Sequence, residues 1–399
     1  MSTFVIDEAR STQYTLNGSN DLLTITRNGN IGVYGDTSIG LLEAAGSSNN
    51  TIRVFGQVYA APGTGAGRSI AIQISGTNTH LIIGSSAFVT GERALEVYGA
   101  NATVENHGDL IGQGYSTSGL TFTSGTFSNS GRISADYGVS LYSGTFVNEA
   151  GGEVFGASFA MVTTGTGTTN VVNHGSIRGF GGSAIQAYYG NDKFTNDGVI
   201  QGSIYLNDGD DLVDNRGGRI IGPIYGAEGS DTLITDKASD VLLENTFSAG
   251  TDSVKSTVSY TLSANVERLL LLGAGNINAT GTANADKLFG NAGNNLIRGL
   301  QGADTLAGKT GNDALIGGAD GDHFAFRKGD GIDTIRDFED AIDTIYISGF
   351  AAIDSFAQLK PFFEKHGDDI WIDFGQGGRL VLLDTTRAEL GSADFPFPL

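Results

Sequence analysis

The chain has 399 residues, 61 of them glycine and only 5 proline, with no cysteine and a formal net charge of −21. Without cysteine there are no disulfides and no zinc–thiolate sites. So acidic a surface also argues against nucleic acid or an anionic membrane as a partner. High glycine without a three-residue period, combined with short regular apolar runs, predicts an all-β solenoid with many tight turns. The charge is uneven: residues 1–200 carry 14 acids against 8 Lys/Arg, and residues 201–399 carry 30 against 15.

MSTFVIDEARSTQYTL at the start has neither a basic region nor an apolar run, so it does not read as a secretory signal peptide. The longest apolar run near Leu270, RLLLLG, is far below membrane-spanning length. Residues 1–30 alternate apolar and polar positions and are expected to form a first coil and a cap, closing the solenoid's end against edge pairing. A loose repetition follows: VYG at 33–35 and 97–99, VFG at 54–56 and 154–156, IYG at 224–226.

Between 104 and 222 the pattern sharpens to apolar-x-Asn-x-Gly. It reads VENHGDLIG, FSNSGRISA, FVNEAGGEVFG, VVNHGSIRG, FTNDGVIQG and VDNRGGRIIG. The asparagines, Asn106, Asn129, Asn148, Asn173, Asn196 and Asn215, are separated by 19 to 25 residues. That period suits one coil of a parallel β-helix with corners at Asn-x-Gly, where asparagine tolerates left-handed backbone and can stack into a hydrogen-bonded ladder. Val104, Phe127, Phe146, Val171, Phe194 and Val213 are then expected to form one apolar core column. The pattern resembles the right-handed β-helices of secreted adhesins, autotransporter passengers and polysaccharide lyases. That likeness implies an architecture and says little about function.

Residues 281–324, GTANADKLFGNAGNNLIRGLQGADTLAGKTGNDALIGGADGDHF, repeat every nine residues. Glycines stand at 281, 290, 299, 308 and 317. Five residues after each comes Asp286, Asn295, Asp304, Asp313 or Asp322, and two further on Leu288, Ile297, Leu306, Leu315 or Phe324. A glycine half-turn followed by a short strand sends one apolar side chain inward. Two nonapeptides make one coil, so Asp286, Asp304 and Asp322 stack on one edge, and Asn295 and Asp313 on the other. Stacked carboxylates repel unless a cation lies between them, and an all-oxygen donor set favours calcium.

These residues resemble the RTX calcium-binding nonapeptide, G-G-x-G-x-D-x-U-x, which builds a parallel β-roll. Asn295 departs from the pattern, as do Asn291, Leu300 and Lys309 at the second glycine and Asn284 and Asp320 at the third. Asp320 joins the candidate ligands. After the array, KGDGIDTIRDFEDAIDTIYISGF (328–350) resembles the family's closing segment, in which Asp330, Asp333 and Asp337 are expected either to complete a last ion site or to stand as solvated turn acids. About three to six calcium ions are expected from the coordination number the ion requires.

The β-helix is expected over 1–235, with Gly-x-Asp-x-apolar units already present in LNDGDDLVDN and YGAEGSDTLIT. Transition coils like those preceding RTX arrays are expected over 236–280, the β-roll over 281–345, and a cap with a secretion signal over 346–399. The resemblance implies a secreted, extracellular protein exported through type I secretion machinery. Such a chain would stay unfolded inside and fold on meeting calcium, because there the binding free energy is folding free energy.

For chemistry, no H-E-x-x-H, G-x-S-x-G or phosphate loop occurs. His107 and His174 share the phrase VxNHG and lie 67 residues apart, close to three coils. Arg132, Arg178, Arg219, Tyr137, Tyr142, Tyr188 and Tyr189 are the pieces a polysaccharide lyase or epimerase on a β-helix could use. The leading expectation is a non-catalytic adhesin, matrix filament or surface-layer-like protein that self-associates or holds cell-surface or matrix polysaccharide. The alternative is a polysaccharide-active enzyme or a glycan-binding module.

Overall fold

A computed structural model describes the chain except for residues 36, 62–67, 247–248, 376 and 398–399. The first residue of the transition-coil phrase, Ser248, and the last two of the expected cap therefore lie outside the described residues. The fold is all-β and almost entirely parallel, in two compact units, Met1–Gly229 and Ser230–Leu399.

In the first unit each coil presents up to three short strands, and each pairs in parallel with its equivalent one coil away. One ladder runs through Leu22–Ile25, Thr51–Val54, His80–Ile83, Ala102–Asn106, Gly125–Asn129, Gly144–Asn148 and Thr169–Asn173. The expected apolar column lies in this ladder. Val104 pairs with Phe127, Phe127 with Phe146, Phe146 with Val171, Val171 with Phe194 and Phe194 with Val213. All six are buried, and the Phe127 and Phe146 rings stack at 5.5 Å.

The corner that follows is an asparagine ladder. Nδ2 of Asn106 donates to Oδ1 of Asn129 (2.7 Å), Asn129 to Asn148 (2.8 Å), Asn148 to Asn173 (2.8 Å), Asn173 to Asn196 (2.6 Å) and Asn196 to Asn215 (2.6 Å). Every member is buried. An amide carries both donor and acceptor, so identical side chains pair with one another and leave no orphan inside. The next glycine has no room for a side chain: a Cβ on Gly131 would sit 2.2 Å from the Gly108 carbonyl oxygen, and one on Gly198 2.2 Å from that of Gly175. His107 and His174 fall three coils apart on this corner, bonded to Ser130 Oγ and Asp197 Oδ1 respectively, both at 2.6 Å.

The VYG-like tripeptides are not a coil repeat. Val33 and Val154 lie in strands that follow the asparagine-type corner, Val54 ends a strand of the Phe-bearing ladder, and Val97 ends a third set. A second ladder, unforeseen, marks the opposite corner. Asn20, Asn49, Asn78 and Asn101 all have φ between 54° and 57°. Asn101 Nδ2 donates to Asn78 Oδ1 (3.2 Å) and Asn78 Nδ2 to Asn49 Oδ1 (3.1 Å).

The second unit flattens to two facing parallel ladders. In one, Leu233, Val254, Leu269, Leu288, Leu306, Phe324 and Ile345 pair in sequence; in the other, Ile297, Leu315 and Ile335 do. All are buried, as the nine-residue pattern requires. Gly378–Leu382 adds in parallel to Ile332–Ile335, and two antiparallel strands, Asp369–Gly375 and Phe363–His366, close that edge.

The amide ladder yields a stability test. Asn148→Ala strands the Asn129 donor and the Asn173 acceptor, each costing about 1–3 kcal/mol when buried and unpaired. The variant should lose about 2–4 kcal/mol in urea unfolding followed by circular dichroism, whereas an unchanged midpoint would mean that the ladder contributes nothing.

Candidate metal centre

A strand entrance in the second unit is an acidic residue whose carboxylate receives the N–H of its equivalent one coil earlier. Asp286 N–H donates to Asp304 Oδ1 (2.7 Å), Asp304 N–H to Asp322 Oδ1 (2.9 Å) and Asp322 N–H to Asp343 Oδ1 (2.8 Å). On the other edge Asn295 N–H donates to Asp313 Oδ1 (2.6 Å) and Asp313 N–H to Asp333 Oδ1 (3.0 Å). The eighteen-residue stacking of Asp286, Asp304 and Asp322, and of Asn295 and Asp313, is therefore present. Asp333 extends the second ladder.

Each N–H satisfies one carboxylate oxygen and leaves the other to find a partner. Asp286 Oδ1 and the Oδ2 atoms of Asp304, Asp313 and Asp333 are buried and have no hydrogen-bond partner among the described residues. Burial pushes these carboxyls far above the usual range: Asp286, Asp313 and Asp322 to about 6, Asp304 to about 7 and Asp333 to about 8. The first glycine of each nonapeptide makes the room. A Cβ on Gly299, Gly308 or Gly317 would lie 2.1 Å from Oδ2 of Asp304, Asp313 or Asp322. Buried anionic oxygens that lack protein donors, in an all-oxygen setting, fit a hard cation of flexible coordination.

The other expected ligands are placed differently. Asp320 is exposed at φ 78°, its Oδ2 accepting the Gly302 N–H at 3.1 Å. Asp337 is half-buried and its two oxygens accept the N–H groups of Gly317 and Gly318 (3.0 and 2.9 Å). Asp330 is buried and accepts the Arg327 N–H (2.7 Å). Asn295 is bonded through both ends of its amide: Nδ2 to the Ile277 carbonyl (2.7 Å) and Asn291 Oδ1 (2.9 Å), Oδ1 from the Asn291 N–H (2.9 Å). Asn291 and Asn295 thus seal the start of their ladder with amide bonds.

Two features escaped the nine-residue register. Asp343 is buried and stands 21 residues after Asp322, in an Asp-x-Ile unit that a search for Asp-x-apolar alone would have found. Asp231, Glu244 and Asp252 bring carboxylate oxygens within 4.8 Å of one another ahead of the array. Asp231 N–H donates to Asp252 Oδ1 (2.7 Å) and Asp252 N–H to Glu267 Oε2 (2.8 Å), repeating the ladder's bond upstream.

Residues 280–315 and 298–335 match the RTX calcium-binding nonapeptide repeat. This array binds calcium. The match covers the β-roll alone, and no curated protein matches the chain. Among solved structures, one similar to it is the extracellular lipase LipA from Serratia marcescens, at 16% identity over 64% of this chain, with a TM-score of 0.22. The chain spans 45% of that lipase's length, and so distant a likeness carries no argument about chemistry.

Of the residues weighed for polysaccharide chemistry, Arg132 and Arg178 share one depression of about 70 Å³ with Glu153 and Phe155. Arg219 pairs with Val199, coils away from Arg132. Tyr137 stacks on Phe159 at 5.9 Å, and Tyr188 and Tyr189 lean together at 6.2 Å.

Two predictions follow from the RTX geometry. In calcium-stripped buffer the raised carboxyl pKa values mean that the folded unit binds more protons than the unfolded chain, whose carboxyls titrate near pH 4. Stability without calcium should therefore be greatest at or below about pH 4 and decline as the pH rises through 6 to 8, the range of the folded values. With calcium bound the trend should reverse, because protons compete with the ion; melting curves across pH with and without calcium check both signs. Separately, Leu300 holds φ 94° and Lys309 φ 66° where the repeat has glycine. Leu300→Gly should raise the calcium-loaded melting point, by about 1 kcal/mol of relieved strain.

Proposed function

We propose that this is a secreted, calcium-folded structural protein: an adhesin, extracellular matrix filament or surface-layer-like component whose β-helix adheres or assembles. The observation that carries the proposal is the pair of buried aspartate ladders whose free oxygens find no donor among the described residues. Ionised and without a cation, such ladders oppose their own folding. In the cytosol, where free calcium is scarce, the array stays open. Outside, Asp286, Asp304, Asp313, Asp322, Asp330, Asp333 and Asp337, with Asp320 at the margin, hold the ions and close the coils, while the Asn295 amide closes its own coil.

RTX repeat proteins are typically secreted, and no helix among the described residues is long and apolar enough to cross a membrane. In our reading export runs through type I secretion machinery, with the signal in the C-terminal segment. The first unit, whose amide ladders need no cofactor, is the adhesive or assembling part, directed at cell-surface or matrix polysaccharide or at further copies of itself. A polysaccharide lyase or epimerase is the second reading, favoured only by the Arg132–Phe155–Arg178 depression.

Circular dichroism and size-exclusion with light scattering, first in EGTA and then at millimolar calcium, test the proposal. Calcium should convert disorder in the acidic unit into β-structure and raise the assembled mass. Asp304→Asn and Asp313→Asn should move the transition to higher calcium. Full β-structure in EGTA would sink the calcium-folding reading, and a calcium-folded strict monomer would sink assembly.

A further inference from the structure

A hollow of the first unit lies on the outside of the sheet that follows the asparagine-type corner. It is a cavity of about 330 Å³, lined among the described residues by Tyr34, Gln57, Tyr59, Phe88, Thr90 and Gln113 together with two alanines. Strand register builds it. Gly32 pairs with Tyr59 and Tyr59 with Thr90; Gln57 pairs with Phe88; and Gln113 follows the next strand, its N–H bonded to the Gly91 carbonyl. Strands of one sheet lie about 4.8 Å apart, so side chains of four successive coils converge within about 15 Å. Because alternate residues share a face, Phe88 and Thr90 both point outward while Val89 enters the core.

Three features distinguish this hollow from a solvated sheet face. Tyr59 lies flat over Gly32, where a Cβ would come 2.1 Å from its ring. Its hydroxyl shares a 2.9 Å hydrogen bond with that of Tyr34, which is otherwise 71% exposed, and the two rings meet edge-on at 5.7 Å. Thr90 is 9% exposed, yet its Oγ1 has no hydrogen-bond partner among the described residues. A buried hydroxyl without a partner is destabilising, and a group arriving from outside would satisfy it. The side-chain amides of Gln57 and Gln113 are exposed at the rim, each offering two donors and an acceptor.

We infer that this hollow is a binding site for a neutral sugar residue of a polysaccharide. Sugars present C–H faces and hydroxyl edges. The first suit the Tyr34, Tyr59 and Phe88 rings, and the second suit the two amides and Thr90 Oγ1. No charged side chain lines the site, and the surrounding half of the chain is net acidic, so an anionic glycan is disfavoured. The volume is at the small end of ligand pockets, matching one or two sugar units rather than a buried chain. The inference rests on the β-helix being the adhesive part and gives that part a ligand class.

The test is isothermal titration of the calcium-loaded full chain with cellohexaose, mannohexaose and N-acetylchitohexaose, with oligogalacturonate as the anionic counterpart. Circular dichroism on each sample scores folding separately, so failure of calcium-driven folding is told apart from failure to bind. One neutral oligosaccharide should bind saturably. Tyr34→Ala and Gln57→Ala should weaken it about tenfold, the effect of one lost hydrogen bond or ring contact. Thr90→Val, which removes only the hydroxyl, should weaken binding while leaving the melting point unchanged or higher; a purely structural hydroxyl would lower the melting point instead. Folded protein that binds none of the neutral probes, binds only oligogalacturonate, or binds equally well in all three variants overturns the inference.

Discussion

In a parallel coil every side chain lies against its own equivalent one turn away, at about the 4.8 Å spacing of neighbouring strands. Whatever stands at a given corner is therefore stacked on its like, and the chemistry of self-stacking decides which residues each position accepts. Apolar columns such as Val104–Phe127–Phe146 gain from it directly. Asparagine gains because one amide can donate upward and accept from below. Aspartate loses, because an ionised carboxylate only accepts.

The two units answer that constraint in different ways. At the corner after Asn106, the amide ladder is complete within the chain. At the strand entrances of the second unit, a backbone N–H occupies one oxygen of each aspartate, and in Asp286, Asp304, Asp313 and Asp333 the second oxygen is left over among the described residues. Such leftover oxygens are what a bound cation can satisfy, and the complete amide ladder has no counterpart to them. Asn295 shows the intermediate case: an amide at an aspartate position bonds to Asn291 and Ile277 and closes its coil without a cation.

Self-stacking also explains what could be read from the chain beforehand. The Phe-bearing column, the ladder from Asn106 to Asn215 and the eighteen-residue aspartate pairs were legible because one position in each coil keeps its residue type. The left-handed asparagines at 20, 49, 78 and 101 were not, since no apolar-x-Asn-x-Gly phrase surrounds them to mark their register. Asp343 was missed for a related reason, a longer loop after Asp322 that breaks the nine-residue count while preserving the stack. The VYG-like tripeptides misled in the opposite direction: local likeness suggested a loose repetition, although they occupy different strands of the coil. The Tyr34–Thr90 hollow had no linear signature at all, because its residues come from four coils and belong to the outward positions that the core does not constrain.

The glycines of the β-roll indicate how strongly the ion must dominate there. At the first position of the nonapeptide glycine cannot be replaced, since a Cβ would strike the aspartate that the same repeat supplies. At the second position Leu300 and Lys309 are accepted with left-handed backbone, and Asp320 likewise at the third. A chain that tolerates strain beside its ligands, but keeps glycine wherever a side chain would displace a carboxylate, is organised around oxygen placement more than backbone comfort. Each coil of the roll also commits only two nonapeptide apolar side chains to its core, such as Leu288 with Ile297 or Leu306 with Leu315. So thin a core cannot by itself outweigh the entropy of ordering eighteen glycine-rich residues. A calcium ion held by the aspartate ladders would add to this unit the stabilisation that hydrophobic columns supply in the first.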